Sequence, residues 1–154
     1  MADIRTAWDA ARIAGDWLLA SPGLDTDKDL ETAVIISLFT DARAKPDDPL
    51  EEGEDPRGWW GDTEAQALHG AGPIGSRLWL LRREKQTEEV RQRAITYARE
   101  ALAWLRESGA ARRIDVEASW AAPGFLLLEI AILKPDGRRQ ELAYEWAWDQ
   151  VQPF

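Results

Sequence analysis

RRIDVEASWAAPGFLLLEIAILKPDGRRQELAYEWAW, residues 112–148, is the stretch that decides the fold. Its first part alternates Ile114, Val116, Ala118 and Trp120 with Asp115, Glu117 and Ser119, the period-two pattern of a strand with one buried face. Pro123-Gly124 interrupts the pattern, and 125–133 follows as a more continuously apolar strand. Lys134-Pro135-Asp136-Gly137 is turn chemistry, with Pro to preset φ and Gly to supply a positive one. The last segment sets Leu142, Tyr144, Trp146 and Trp148 against Glu141, Ala143, Glu145 and Asp149. Strands at 112–120, 125–133 and 140–148 therefore predict an antiparallel meander, one face apolar and the other solvated.

Upstream, the hydrophobic period changes to that of helices. Thr87-Glu88-Glu89 supplies an N-cap and two acidic first-turn residues. Val90, Ala94, Tyr97, Ala98, Ala101 and Leu105 then share one face, and the helix ends at Ser108-Gly109, with Gly109 placed for a left-handed cap. Residues 76–86 (SRLWLLRREKQ) read as another helix. A third, over 29–43, starts from Asp25, Asp27 and Asp29 and runs through Leu30, Val34, Ile35 and Leu38. At the N-terminus, Ile4, Thr6 and Trp8 alternate and 16–20 forms a second run, a hairpin with Gly15 in its connection. The expectation is one α+β domain over 1–154: an N-terminal β-hairpin, about three helices and a C-terminal three-stranded antiparallel meander.

Nine tryptophans in 154 residues are more than a domain of this size buries with ease, because each indole is large and brings an N–H that needs a partner. Tryptophan and arginine dominate the energetic centres of interfaces, so part of this surplus is expected against another protein. Net charge is -9, and it is uneven. Residues 1–64 hold 6 Lys/Arg against 16 Asp/Glu, a net -10, while 65–154 are close to neutral. An acidic half repels nucleic-acid phosphates and favours a basic partner. Residues 45–62 form a long acidic loop rich in Pro and Gly, ending on Arg57-Gly58-Trp59-Trp60-Gly61-Asp62. The opening residues lack a signal-peptide pattern and no run is long enough to cross a bilayer, so synthesis in the cytoplasm and no membrane insertion are expected.

No catalytic constellation emerges. With no Cys and a single His, His69, the usual zinc ligands and a Cys nucleophile are missing. The Asp25, Asp27, Asp29 spacing lacks the Gly and distal Glu of a calcium loop. Gly70-Ala71-Gly72-Pro73-Ile74-Gly75 does not match a phosphate loop, and Pro73 removes a donor. No cofactor, metal or small-molecule substrate is expected, and the chain reads as an assembly component. Two other classes stay open: a glycosidase acting on peptidoglycan with a carboxylate pair, and a free-standing cytoplasmic adaptor. Three candidate contact sites stand out. They are Trp59-Trp60 with Arg57, the segment Arg77, Trp79, Arg82, Arg83 and Glu84, and the final strand with Leu142, Tyr144, Trp146 and Trp148. An edge position would leave that strand's N–H and C=O groups free for a strand from another chain.

The ordered set LETAVIISLFTD (30–41), RGWWGD (57–62) and GSRLWLL (75–81) resembles the baseplate wedge protein of Mu-like contractile-tailed phages and prophages, within the wider sheath-initiator group. The likeness spans nearly the whole chain. It implies a virion protein of the tail baseplate, packed against other wedge subunits through its helices, near tube or hub proteins, with a sheet that starts the strand mesh of the sheath. On this chain the pairing role falls to the terminal meander and the wedge contact to Arg77, Trp79, Arg82, Arg83 and Glu84. The Glu-Pro-Arg motif of many sheath initiators is absent; Arg82-Arg83-Glu84 lies in a comparable neighbourhood. Proline at Tyr144 is expected to stop sheath growth if the last strand pairs across chains.

Overall fold

The computed structural model describes residues 6–12, 14–17, 19–20, 23–24, 29–69 and 72–147. Strands β1 (Thr6–Asp9) and β2 (Ala14–Trp17) form an antiparallel hairpin, and β3 (Leu19–Ala20) pairs with β4 (Gly23–Leu24) over two residues. Helices α1 (Asp29–Phe39), α2 (Asp62–His69) and α3 (Glu88–Glu107) come next, with a 3-10 turn at Leu78–Leu81 between the last two. The chain closes on β5 (Arg113–Ala122), β6 (Phe125–Leu133) and β7 (Arg139–Ala147), an antiparallel sheet in the order β5-β6-β7. This is the expected α+β arrangement. Residues 3–5, Asp25, Asp27 and Trp148, to which the sequence assigned roles, lie outside the described residues.

Two layers make the core. One face of the sheet contributes Val116, Ala118, Leu126, Leu128, Ile130, Ile132, Tyr144 and Trp146, all buried. Against it lie Val90, Ala94, Tyr97, Ala98, Leu102 and Leu105 of α3 and Val34, Ile35 and Leu38 of α1. The period-two and period-3.6 patterns meet in one apolar layer, which is why both were readable. At the start of α3, the Thr87 hydroxyl accepts from Val90 N at 3.2 Å. At its end, Gly109 adopts φ +81 and Ala111 N donates to Leu105 O at 2.9 Å. Thr87→Ala is expected to cost about 1 kcal/mol in urea unfolding. A loss under about 0.3 kcal/mol would mean that the cap is idle.

Several boundaries differ from the sequence reading, and Gly15 lies in β2 opposite Trp8 rather than in the hairpin connection. Helix α1 stops at Phe39 rather than near 43, because Thr40 O then accepts from Ser76 N and Ala42 N donates to Ser76 O, both at 2.9 Å. That parallel bridge between Asp41 and Ser76 diverts the backbone out of the helix. The helix expected over 76–86 is a single 3-10 turn. Leu78 and Leu81, three residues apart, both point into the core there, and Arg82-Arg83-Glu84-Lys85 offers no apolar residue to carry a helical face further. Helix α2 was not anticipated. Its first turn holds Asp62 and Glu64, the acidic residues that favour a helix N-terminus.

The meander fixes which backbone groups face outward. Lys134 N donates to Arg138 O at 2.8 Å, so the even-numbered residues of β7 face β6. The odd-numbered ones face away, and Glu145 O accordingly accepts the Trp8 indole N–H at 3.0 Å. The alternation along β5 is complementary, with the carbonyls of Val116 and Ala118 turned away from β6.

Candidate protein-interaction surfaces

The acidic loop is held at several points. Ala44 N donates to Pro56 O at 2.8 Å, and Lys45 N donates to the Asp48 carboxylate at 2.7 Å. Arg77, with an 11% exposed side chain, donates to Asp48 Oδ1 and to Glu100 Oε2, each at 2.6 Å, and its guanidinium lies 4.3 Å over the Tyr97 ring. Burial opposes the charge on Arg77. The hydrogen bond and charge of Glu100, with Asp48 and Tyr97, outweigh it and hold the guanidinium's pKa above its ordinary value.

Arg57 closes the loop in a left-handed conformation, φ +57, followed by Gly58 at φ +110. It is fixed there by Asp41, 2.6 Å away, by Asp55, which accepts from its backbone N–H, and by the Trp79 ring 4.3 Å under its guanidinium. The reversal throws the next two residues outward. Trp59 is 39% exposed and Trp60 82%, their rings 5.3 Å apart. The Trp59 ring lies so close over Gly61 that a Cβ there would come within 2.2 Å of it. Loop and glycine thus present a paired indole knob.

The segment 77–84 divides between interior and surface. Trp79 is buried, and its indole donates to Ala42 O at 2.8 Å. Arg82 is half-buried and Glu84 pairs with Arg93, while Arg83 is exposed and 4.0 Å from Glu54. A cleft of about 230 Å³ runs between this segment and the loop, lined by Leu50, Glu54, Arg57, Leu80, Arg83 and Glu84. On the last strand, Tyr144 and Trp146 are buried and Leu142 is half-buried. Tyr144 meets the edge of Phe39, which is itself stacked 3.7 Å from Trp8. Of the sequence candidates, Arg57, Trp59, Trp60 and Arg83 reach solvent together around the loop. Arg77 and Trp79 hold that surface from within, while Tyr144 and Trp146 belong to the core.

The two sheet margins differ sharply. On β5, Ala118 O accepts from Arg91 at 2.7 Å and Val116 O from Arg99 at 3.4 Å, both guanidinia reaching across from α3. Two outward carbonyls of the β5 margin are thus taken by side chains. On β7, Glu145 O is taken by Trp8, and among the described residues nothing pairs with the outward groups of Arg139, Glu141 and Ala143. Sequence reading missed the two capping arginines. Their eight-residue spacing on one helix, beside the apolar face, was the available signal. It also missed Trp104, 46% exposed, whose indole donates to Ser37 Oγ at 2.9 Å beside an apolar groove of about 450 Å³. That tryptophan stands outside the periodic apolar positions of its helix, which could have marked it.

No group of three or more His, Asp or Glu among the described residues is placed to hold a metal ion. Where a carboxyl pKa is clearly displaced, it is downward. Arg91 and Gln92 hydrogen bonds bring Glu88 to about 2, and Arg12 and Arg138 lower Asp9 and Asp136. No helix among the described residues is long and apolar enough to cross a membrane.

The family described as phage protein GP46 matches residues 30–139. Baseplate protein gp46 of Escherichia phage Mu is 47% identical over 140 residues, covering 89% of this chain and 90% of that protein. The Mu-like prophage FluMu protein gp46 of Haemophilus influenzae is 38% identical over 148 residues, with 96% and 98% covered.

Proposed function

The chain belongs to the phage protein GP46 family, and from that premise we propose that it is a structural, non-catalytic component of a phage tail baseplate that joins wedge subunits to the sheath. Packing against the wedge uses the paired indoles Trp59 and Trp60 and the neighbouring cleft with Arg57, Arg83 and Glu84. Pairing with the sheath uses strand addition at β7. Other wedge subunits and the sheath protein are the partners in this reading, with tube or hub proteins close by.

One observation carries the proposal: the asymmetry of the sheet. A free margin is a hazard that soluble proteins normally cover. Here Arg91 and Arg99 reach across two outward carbonyls of β5, whereas β7 keeps Arg139, Glu141 and Ala143 open over about five residues. An added strand would find three residues with outward N–H and C=O groups, and the Trp8 indole on Glu145 O marks where pairing ends.

Register also decides the right test. Tyr144 N–H faces Leu128 of β6, so proline at Tyr144 would break the chain's own sheet. Ala143 N–H faces the open side, where proline is tolerated in an edge strand. Ala143→Pro, introduced into the phage or prophage that encodes the chain, is expected to leave the purified protein folded by circular dichroism. Its baseplates should lack extended sheath in electron micrographs. Normal contractile tails from a folded variant would overturn strand addition. Trp60→Ala is expected to weaken wedge association by about 2 kcal/mol, measured by co-sedimentation, if that indole is an energetic centre.

A further inference from the structure

The solvent face of the sheet carries a charge pattern that its own fold does not require. Glu117 on β5 stands directly opposite Glu129 on β6. Like charges in that position destabilise a sheet. Glu129 in turn faces Ala143 on β7, with Glu141 and Glu145 at the two diagonal positions and Asp115 diagonal on β5. Two arginines share this face, each with a nearby carboxylate: Arg113 lies 2.9 Å from Asp115, and Arg139 lies 3.0 Å from Glu141. Central Glu129 is left among carboxylates. Over the small side chains of Ala131 and Ala143 the surface dips into a trough of about 310 Å³, walled by Asp115, Glu117, Glu129, Arg139 and Glu141.

The trough spans the face from β5 to β7, whose outer margin is unpaired. A strand added there would alternate, one set of side chains continuing the apolar layer of Leu142, Tyr144 and Trp146, the other lying over the acidic face. Two strand spacings, about 10 Å, separate that strand from β6. A residue placed opposite Ala143 meets only a methyl group between itself and Glu129. Among cationic side chains, Lys and Arg carry their charge on a stem long enough to lean across it.

We infer that the strand received at β7 belongs to another protein subunit and carries Arg or Lys at alternate positions, one of which lies in the trough over Ala131 and Ala143 against Glu117, Glu129 and Glu141. The inference rests on strand addition as proposed above and adds the chemistry of the partner. It gives Glu129 a purpose: set opposite Glu117, whose own charge Arg91 of α3 offsets, this central carboxylate is neutralised on assembly, so the sheet selects a basic strand over an acidic one.

Two peptides with the same apolar alternation test it by amide NMR on the full chain. One carries Arg at alternate positions (Ac-RVRVRV-NH2) and the other Glu (Ac-EVEVEV-NH2). The Arg peptide is expected to shift the amides of Arg139, Glu141 and Ala143. Its affinity should fall about tenfold in the double variant E117Q/E129Q but change little in E52Q/E107Q, which removes the same charge from distant exposed sites. Equal binding of both peptides, or an equal loss in both double variants, overturns the basic strand while leaving strand addition standing. No shift at those three amides with either peptide removes strand addition itself. Slow hydrogen exchange at the same amides in the free chain would place the chain's own terminus on the margin and overturn both.

Discussion

Gly75→Val is expected to destabilise the protein by about 3 kcal/mol or more, lowering the melting temperature by about 10 °C. Gly75 adopts φ +103, a conformation that L side chains rarely take. A Cβ there would come within 2.4 Å of Thr40 O, 2.9 Å of Thr40 C and 3.0 Å of Ala42 N. These are backbone atoms of the strand-like stitch that ends α1, so nothing flexible can move aside. The stitch also seats Ser76, whose buried hydroxyl donates to Leu38 O. Relief of the clash must open the Ser76 bridge and displace Trp79, the platform under Arg57. Gly72→Val is the control, since a Cβ at Gly72 meets nothing within 4 Å. Comparable stability losses in the two variants, measured by urea unfolding, would refute the argument.

The parts of the fold legible in the sequence were those in which one physical signal acted alone. The meander could be read because three alternating runs share one buried face, and 125–133 came out with the strand bounds observed. Helix α3 was equally plain, since its cap, acidic first turn and apolar stripe agree. The 76–81 stretch was misleading because its apolar residues bury in several directions, and a dense apolar run looks helical whether or not helix continues. Its start is set by the pairing of Ser76 with Thr40 and Ala42, a contact across more than thirty residues that no local pattern encodes, and its end by the charged run 82–85. Helix α2 was hidden by the opposite problem: DTEAQALH has little apolar content to give a period.

At the interaction surface, residue type was legible and direction was not. Trp59 and Trp60 are both exposed, since a backbone with Gly58 and Gly61 on either side can carry indoles outward. Trp79 carries the same side chain two elements later and points inward, because Arg57 and Ala42 supply a cation and an acceptor for it. The open margin of β7 was anticipated as a position. The capping of two β5 carbonyls by Arg91 and Arg99 was not, as arginines on an exposed helix face normally read as solvated charge. Only the register distinguishes Ala143, whose N–H points outward, from Tyr144, whose N–H does not.

Arg77→Met is expected to cost about 3 kcal/mol, although the replacement keeps most of the side chain's apolar contact. The reason lies in what remains. Asp48 has a side chain only 6% exposed, and without Arg77 its carboxylate keeps the Lys45 backbone N–H but loses its buried cation. Glu100 is less affected, being more exposed and 3.7 Å from Lys45. A charge left unpaired in the interior costs more than a surface ion pair is worth. Adding Asp48→Asn removes that charge, so the double variant D48N/R77M should be more stable than R77M alone by about 1 kcal/mol or more. Loss of the clamp would also release the acidic loop from α3. Faster hydrogen exchange over residues 45–57 should therefore accompany the lost stability. If R77M unfolds within about 1 kcal/mol of the parent and D48N gives no recovery, Arg77 is surface charge after all, and the position of Trp59 and Trp60 must be held by Arg57 and Asp41 alone.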